Sequence, residues 1–171
     1  MKRLYLLRHA KSDWADPDKV DEDRPLSPRG RRAAPAMGRY MREEGLIPAL
    51  ALASTARRAE ETWDLLSPAL KANIPLESSD KLYLASPNRL MKAVRGLADK
   101  WASALIVGHN PGLQAFALEL AGNGNGPART RIMQKYPTGG LAVFDFAVDS
   151  WGDIAPGDGT LERFVVPRDL D

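Results

Sequence analysis

Two histidines and a neighbouring arginine are the residues of this sequence best suited to catalysis. His9 and His109 are the only histidines among 171 residues, and each follows a short apolar run. A neutral imidazole can accept a phosphoryl group near pH 7, because its pKa lies close to that value. Arg8 directly precedes His9, and arginine binds phosphate oxygens through a planar, permanently charged fork. These residue types indicate phosphoryl transfer stabilised by fixed cations, without a metal ion.

Two further arginines, Arg57 and Arg58, are adjacent in the chain, and either could contact the phosphate. Arg57 has the helical spacing to pair with Glu61, so we interpret it as a solvated, ion-pairing residue. Arg58 lies on the flank of the apolar stripe of the same predicted helix, in its first turn and one turn before Thr62. We therefore expect Arg58, rather than Arg57, to contact the phosphoryl group.

The residues that could do chemistry come after apolar runs that have the length of buried strands. Strands are predicted at residues 4–7, 50–53 and 104–107. In open α/β sheets, ligands bind beyond the carboxyl ends of the strands. If the three strands are parallel, both histidines and the Arg58 segment meet in one cleft.

Helix-like segments fill the intervals between the predicted strands. Helices are predicted from Pro28 to Gly45, from Ala56 to Leu70, from Pro87 with an apolar stripe that reaches Trp101, and from Pro111 onward. Residues 141–148 and 161–166 are predicted to form a terminal hairpin, and the Gly- and Asn-rich residues 122–127 a loop. The alternation predicts an α/β fold, a three-layer α/β/α sandwich around a mostly parallel sheet.

Composition limits the classes of protein that this chain can be. The length predicts one domain over residues 1–171, and a net charge of +2 is too small to indicate a nucleic-acid partner. The absence of cysteine excludes disulfides and thiolate metal sites, and with only two histidines we expect no metal and no cofactor. No apolar run reaches the roughly 20 residues that span a bilayer. Because the apolar segment before Arg8 is also too short for a signal peptide, we expect a cytoplasmic protein without a membrane partner.

Five segments, in order along the chain, resemble the histidine phosphatase superfamily, also called the phosphoglycerate mutase-like family. Residues 7–12 resemble its Arg-His-Gly signature, and residues 54–62 its Ser-Pro-x-x-Arg-Ala-x-Gln-Thr segment. Residues 107–111 resemble the segment of the second histidine. Residues 24–30 and 137–141 are similar to the short SixA-type phosphohistidine phosphatases, so the resemblance covers nearly the whole chain.

The resemblance implies a phosphoglycerate mutase-like fold and a role for each matching residue. His9 would be the nucleophile, which becomes phosphorylated and is then hydrolysed by water. Four further residues would bind the phosphoryl group: Arg8, Arg58, His109 and Arg24. Ser12 would either lend its hydroxyl to the substrate or cap its own loop.

The sequence departs from the family pattern at two places. Ala10 replaces the usual glycine, and it would be strained if the backbone there adopted a positive φ. Larger family members carry a glutamate proton donor in an insertion, whereas residues 77–83 are short here. Asp80 in this segment is either a replacement donor or a plain loop carboxylate.

The missing strong acid bears on the substrate. An alkoxide leaving group needs protonation in the transition state, whereas imidazole is much less basic. The short chain also leaves no room for a large cap, and an open cleft suits a phosphorylated side chain on a protein. We therefore interpret the sequence as a metal-independent phosphatase of protein phosphohistidine that acts through a phosphohistidine intermediate.

Two alternatives stay open. The first is a phosphatase of small phosphoesters or sugar phosphates. The second is a non-catalytic phosphate-sensing or protein-binding module. The expected partner is accordingly a phosphorylated protein or a small phosphorylated metabolite.

Overall fold

The computed structural model describes residues 1–171 and contains a seven-stranded sheet with five α-helices. The strands are β1 (Lys2–Arg8), β2 (Leu50–Ser54), β3 (Leu76–Ser79), β4 (Ser103–Gly108), β5 (Ala121–Gly124), β6 (Leu141–Phe146) and β7 (Gly159–Val165). The helices are α1 (Pro28–Glu43), α2 (Arg57–Leu70), α3 (Pro87–Arg95), α4 (Gly112–Leu120) and α5 (Gly126–Gln134). None of the helices is both long enough and apolar enough to span a membrane.

The sheet has the strand order β3-β2-β4-β1-β6-β7-β5 and is mostly parallel. Strands β3, β2, β4 and β1 run parallel to one another, and β5 runs parallel to β7. Strand β6 is antiparallel to both β1 and β7. The predicted α/β fold and the terminal hairpin, which is formed by β6 and β7, are therefore confirmed.

Register brings the carboxyl ends of the three central strands level with one another. Arg8 at the end of β1 pairs with Gly108 at the end of β4. Ala53 of β2 pairs with Val107, so Ser54 ends its strand beside Gly108. The residues that follow these strands consequently meet at one edge of the sheet, as the apolar runs predict.

Two hydrophobic cores, one on each face of the sheet, produce the three layers. Helices α1 and α2 pack against one face through residues such as Met37 and Trp63. Helices α3, α4 and α5 pack against the other face through residues such as Phe116. Alternate residues of β1 enter opposite cores, with Leu6 in one and Leu7 in the other, because successive side chains of a strand point to opposite faces. Burial on both faces explains why this strand reads as a continuous apolar run.

The prediction of a loop at residues 122–127 is wrong. These residues form most of the edge strand β5 and the start of α5. Gly122 allows close packing, because a Cβ there would lie 1.8 Å from the carbonyl oxygen of Gly157. Asn125 caps α5, since its side-chain oxygen accepts the N–H of Ala128 at 3.0 Å.

Two further elements differ from the sequence-based expectation. Strand β3 is exposed along most of its length, and an edge strand of this kind leaves no apolar run to detect. Helix α3 ends at Arg95 and is followed by Gly96 as its C-cap. Trp101 therefore lies beyond the helix, although it packs against the same core.

Candidate active site

His9 and His109 face each other at the carboxyl edge of the sheet. Their ring centroids are 5.1 Å apart, and the ring planes are tilted by 52°. Only 6% of His9 and 3% of His109 is exposed. The two rings lie together because β1 and β4 are adjacent, parallel and in register. A phosphoryl group held by one imidazole would thus lie within reach of the other.

The hydrogen bonds of His9 select one tautomer of its ring. Nδ1 lies 2.7 Å from the carbonyl oxygen of Ala10, which can only accept, so Nδ1 carries the proton of the neutral ring. Nε2 is left with a lone pair, and the Nε–H of Arg58 donates to it at 3.4 Å. The backbone N–H of Ala10 donates to Thr62 Oγ1 at 2.9 Å and fixes this segment to α2. Ala10 does not have a positive φ, so alanine causes no strain in place of glycine.

The surroundings favour the neutral form of both imidazoles. Burial lowers the pKa of His9 to about 3; the Ala10 carbonyl opposes this shift, and the neighbouring His109, Arg58 and Arg8 add to it. Burial and the charge of Arg58 lower the pKa of His109 to about 4, against the opposing charge of Asp21. A base whose pKa is lowered stays unprotonated down to that lower value. Both rings are therefore neutral at physiological pH, and Nε2 of His9 is available as a nucleophile.

We expect both imidazoles to stay neutral as the pH falls from 7 to 5, because their pKa values lie below the ordinary 6.5. The measurement is the ring ¹⁵N chemical shift of the untagged protein during a pH titration. The chain has two histidines, so the His109→Asn variant assigns the two sets of signals. The shifts of His9 are expected to be those of the Nδ1–H tautomer. An inflection near pH 6.5 in either ring would contradict this electrostatic picture.

Two arginines bring permanent charge to the histidine pair. Arg58 is 4% exposed and reaches His9 from the first turn of α2. Arg57 instead points outward and forms an exposed ion pair with Glu61 at 3.3 Å, so the structure brings Arg58 and not Arg57 to the histidines. Arg8 donates from Nη1 to the carbonyl oxygen of Tyr136 at 2.9 Å, and its Nε has no partner.

His109 is held by Ser54, a residue of the family-like segment 54–62 to which sequence reasoning assigned no role in the site. Nε2 of His109 lies 2.8 Å from Ser54 Oγ. That oxygen also accepts the N–H of Ala56 at 3.1 Å, and it has both a proton and a second lone pair to offer to Nε2. If the hydroxyl donates, the proton of the neutral His109 ring lies on Nδ1, which is buried and has no partner in the chain. The arrangement leaves an N–H donor for an anionic ligand.

These paired histidines and the buried arginine can be compared with those of known proteins. Residues 4–83 match the sequence profile of the histidine phosphatase superfamily (branch 1). The chain belongs to the histidine phosphatase superfamily. The match contains His9 and Arg58, whose contact the structure shows.

Two solved structures show which histidine phosphatases this one is similar to. A candidate phosphohistidine phosphatase SixA from Agrobacterium tumefaciens has 29% identity and a TM-score of 0.82, covering 97% of this chain and 98% of that one. A second candidate SixA, from Nakamurella multipartitia, has 27% identity and a TM-score of 0.81, covering 97% and 96%. The predicted resemblance to the SixA type is thereby confirmed.

A curated relative is more similar in sequence but has no described activity. An uncharacterised protein of Mycobacterium leprae is 39% identical over 168 residues, which is 95% of this chain and all of that protein. The likeness therefore extends past the matched residues 4–83 to the C-terminal strands and helices.

Sequence reasoning missed Asp21, the carboxylate that forms an ion pair with Arg58. Its Oδ2 accepts from Arg58 Nη2 at 3.0 Å and also from the hydroxyl of Tyr83. The Tyr83 ring in turn meets His109 edge-on, at 5.5 Å between centroids. Asp21 belongs to a short 3₁₀ turn at residues 21–23, among several other acidic residues. No feature of that charged segment distinguishes Asp21 from the neighbouring acidic residues, so its contact with Arg58 is visible only in the folded structure.

Asp21 is ionised at neutral pH. Burial by itself would raise the pKa of its carboxyl, but the hydrogen bonds from Tyr83 and Arg58 outweigh that effect and hold the pKa below its usual value. Asp21 also covers the guanidinium of Arg58, because its backbone carbonyl accepts from Arg58 Nη1 at 2.8 Å. The guanidinium of Arg58 is therefore engaged by Asp21 as well as by His9.

Three predicted site residues make no hydrogen bond to either histidine or to Arg58. Arg24 is buried, stacks over Trp14 with its guanidinium 4.0 Å from the ring centroid, and donates to the carbonyl oxygen of Asp16 at 3.0 Å. Ser12 Oγ accepts from Trp14 Nε1 at 2.8 Å, which favours its loop-holding alternative. The side chain of Asp80 is exposed and has neither a hydrogen bond nor an ion pair.

Proposed function

We propose that this protein is a metal-independent phosphatase that hydrolyses protein phosphohistidine through a phosphohistidine formed on His9. The observation that carries the proposal is the lone pair on Nε2 of a neutral His9, fixed by the Ala10 carbonyl and placed beside the guanidinium of Arg58. An imidazole in this form can attack phosphorus without first losing a proton.

The reaction has two displacements at phosphorus. In the first, Nε2 of His9 forms a bond to phosphorus while the bond from phosphorus to the substrate nitrogen breaks. The substrate ring carries a proton on its other nitrogen and therefore leaves as neutral imidazole, and His9 keeps its own proton on Nδ1. In the second, the oxygen of a water molecule attacks phosphorus and the bond to Nε2 breaks. The water gives one proton to the solvent, and inorganic phosphate and the original His9 tautomer are restored.

Fixed donors supply the positive charge that a metal ion otherwise provides. The transferred group spreads its negative charge over three equatorial oxygens. Arg8 and Arg58 would bind those oxygens, together with the partnerless Nδ1–H of His109. The fold places these donors beside His9 beforehand, and Arg58 exchanges its hydrogen bonds to Asp21 for bonds to the phosphoryl oxygens when the substrate binds. Arg24, which stacks over Trp14, would join them only if its loop moved, and Ser12 would stay a loop residue.

The carboxylates around the cleft favour an imidazole leaving group over an alkoxide. Asp21 is the carboxylate that contacts Arg58, and its lowered pKa leaves it without a proton to give. The side chain of Asp80 is exposed and makes no hydrogen bond. An alkoxide would therefore leave without general-acid assistance, which contributes about 10²- to 10⁴-fold to such reactions. Imidazole needs that assistance less, because its conjugate acid has a pKa near 6.5.

We accordingly expect kcat/KM for a phosphohistidine peptide to exceed that for a phosphoserine peptide of the same sequence by at least ~100-fold. The measurement is release of inorganic phosphate in EDTA, with a sugar phosphate as a third substrate. Equal rates on the phosphoserine and phosphohistidine peptides would favour the alternative function, a phosphatase of small phosphoesters. Loss of activity in EDTA would contradict metal independence, and phosphate binding without any turnover would favour the non-catalytic module.

A further inference from the structure

A strongly basic cavity lies beside the phosphoryl site, and the proposed reaction uses only one of its residues. Its volume is about 660 Å³. Six cations and one carboxylate line it: Arg8, Lys11, Arg29, Arg131, Lys135 and Arg168, with Asp169. They come from the segment after β1, the start of α1, the end of α5 and the C-terminal 3₁₀ helix (Pro167–Leu170), so only the fold brings them together.

Most of these cations have no anionic partner in the protein. Arg131 forms an ion pair with Asp169 at 2.9 Å. The other five make no ion pair, and four of them make no side-chain hydrogen bond either: Lys11, Arg29, Lys135 and Arg168. Elsewhere on this surface, cations such as Arg3 and Arg163 are paired with carboxylates. Unpaired cations also occur elsewhere, such as Arg39 and Arg89, but here several of them surround a single cavity.

The charge of the cavity stands out against that of the whole chain. Its lining carries a net charge of +5, whereas the whole chain carries +2, so the remaining residues sum to −3. A local excess of this kind steers anionic ligands toward one place on a surface that otherwise repels them.

The cavity adjoins the reaction centre through Arg8. This residue lines the cavity, while the next residue in the chain is His9. The wall formed by Pro137 and Thr138 is tied to the same segment, because the N–H of Gly139 donates to the carbonyl oxygens of Arg8 and His9 at 3.0 Å. A substrate whose phosphoryl group rests on Arg8 would extend its neighbouring groups over these cations.

The lining indicates an acidic peptide rather than a nucleic acid or a small apolar ligand. Two of its 13 residues are hydrophobic and none is aromatic. Single-stranded nucleic acids need aromatic platforms for their bases, and small-molecule sites are lined mainly by apolar side chains. Exposed, separate cations on four segments fit several carboxylates that are spread along a chain.

We propose that this cavity binds acidic side chains that flank the phosphohistidine of the protein substrate. The inference depends on the proposed function in one respect, that the substrate is a protein. It adds a selectivity for substrates: the protein prefers phosphohistidine proteins that have Asp and Glu near the modified residue. This preference weakens as added salt screens the positive charge of the cavity.

The test compares two phosphohistidine peptides that differ only in having acidic or neutral flanking residues. The readout is the ratio of their kcat/KM values, in which any general effect on catalysis cancels. A cavity variant reverses three charges: Arg29→Glu, Lys135→Glu and Arg168→Glu. A matched control reverses three exposed charges that make no side-chain hydrogen bond: Arg39→Glu, Arg89→Glu and Lys92→Glu. Binding of the unphosphorylated acidic peptide and of a single-stranded RNA oligomer is measured alongside.

We expect a ratio of at least ~10 for the wild type and the control, and a ratio near 1 for the cavity variant. If both peptides are hydrolysed but the wild-type ratio is near 1, or the cavity variant keeps the preference, the inference fails while the proposed function stands. If neither peptide is hydrolysed, the proposed function fails, and the binding data then decide whether the cavity binds acidic side chains. Binding of the acidic peptide that the cavity variant loses supports the inference; equal binding to both proteins, or tighter binding of RNA, overturns it.

Discussion

Replacement of His9 by alanine is expected to lower kcat at least ~10³-fold and to remove any acid-labile phosphoenzyme. The reason is that Nε2 of His9 carries the lone pair of the neutral ring and attacks phosphorus in the proposed reaction. No other nucleophile replaces it, since His109 has its own Nε2 occupied by Ser54. The measurement is turnover of a phosphohistidine peptide together with acid-sensitive labelling of the protein.

The His9→Asn variant serves as the control for folding. Its side-chain amide can donate to the Ala10 carbonyl, which now accepts from His9 Nδ1 at 2.7 Å, but it has no basic nitrogen. We expect a native circular-dichroism spectrum and no turnover. Activity of either variant within 10-fold of the wild type would exclude His9 as the nucleophile.

The Arg58→Lys variant is expected to lose about 10²- to 10³-fold in kcat/KM, the cost of removing one fixed donor from an anionic transition state. Lysine keeps the charge but lacks the planar fork that binds two phosphate oxygens. It also loses the Nε–H that donates to His9 and breaks the paired contacts with Asp21. The measurement is kcat/KM with the phosphohistidine peptide at saturating and limiting concentrations.

Arg57→Lys is the matched control, because it changes the neighbouring residue of the same type. Arg57 forms an exposed ion pair with Glu61, and such pairs contribute little to stability. We expect less than a twofold change in kcat/KM for this variant. A similar loss in both variants, or a loss under 10-fold in Arg58→Lys, would show that the helix face does not select the phosphate-binding arginine.

The strand ends and the helix face could be predicted because they depend on local periodicity. Apolar runs mark β1 and β4, whose residues are buried in the cores on both faces, and the polar residues after them lie at one sheet edge. The choice of Arg58 over Arg57 follows from helical spacing alone, and the structure places Arg58 against His9. The family resemblance assigns the same arginine independently.

The remaining contacts depend on tertiary structure, which leaves no local pattern. Asp21 meets Arg58 across 37 positions of the chain and Tyr83 across 62. The glycines near residue 122 predict a loop, but Gly122 allows β5 to approach Gly157 closely. Arg24 was expected at the phosphate, yet it stacks on Trp14, and sequence spacing could not reveal the contact that holds it there.

The most direct test of the account is to identify the phosphorylated atom during turnover. The wild-type protein is mixed with phosphohistidine peptide and quenched rapidly in alkali, which preserves the phosphorus–nitrogen bond. Mass spectrometry and ring ³¹P–¹⁵N couplings then locate the phosphoryl group. We expect the phosphoryl group on Nε2 of His9, the ring nitrogen opposite the one that faces the Ala10 carbonyl in the folded protein. Phosphate released with no phosphorylated protein, or a phosphoryl group on any other residue, would contradict it.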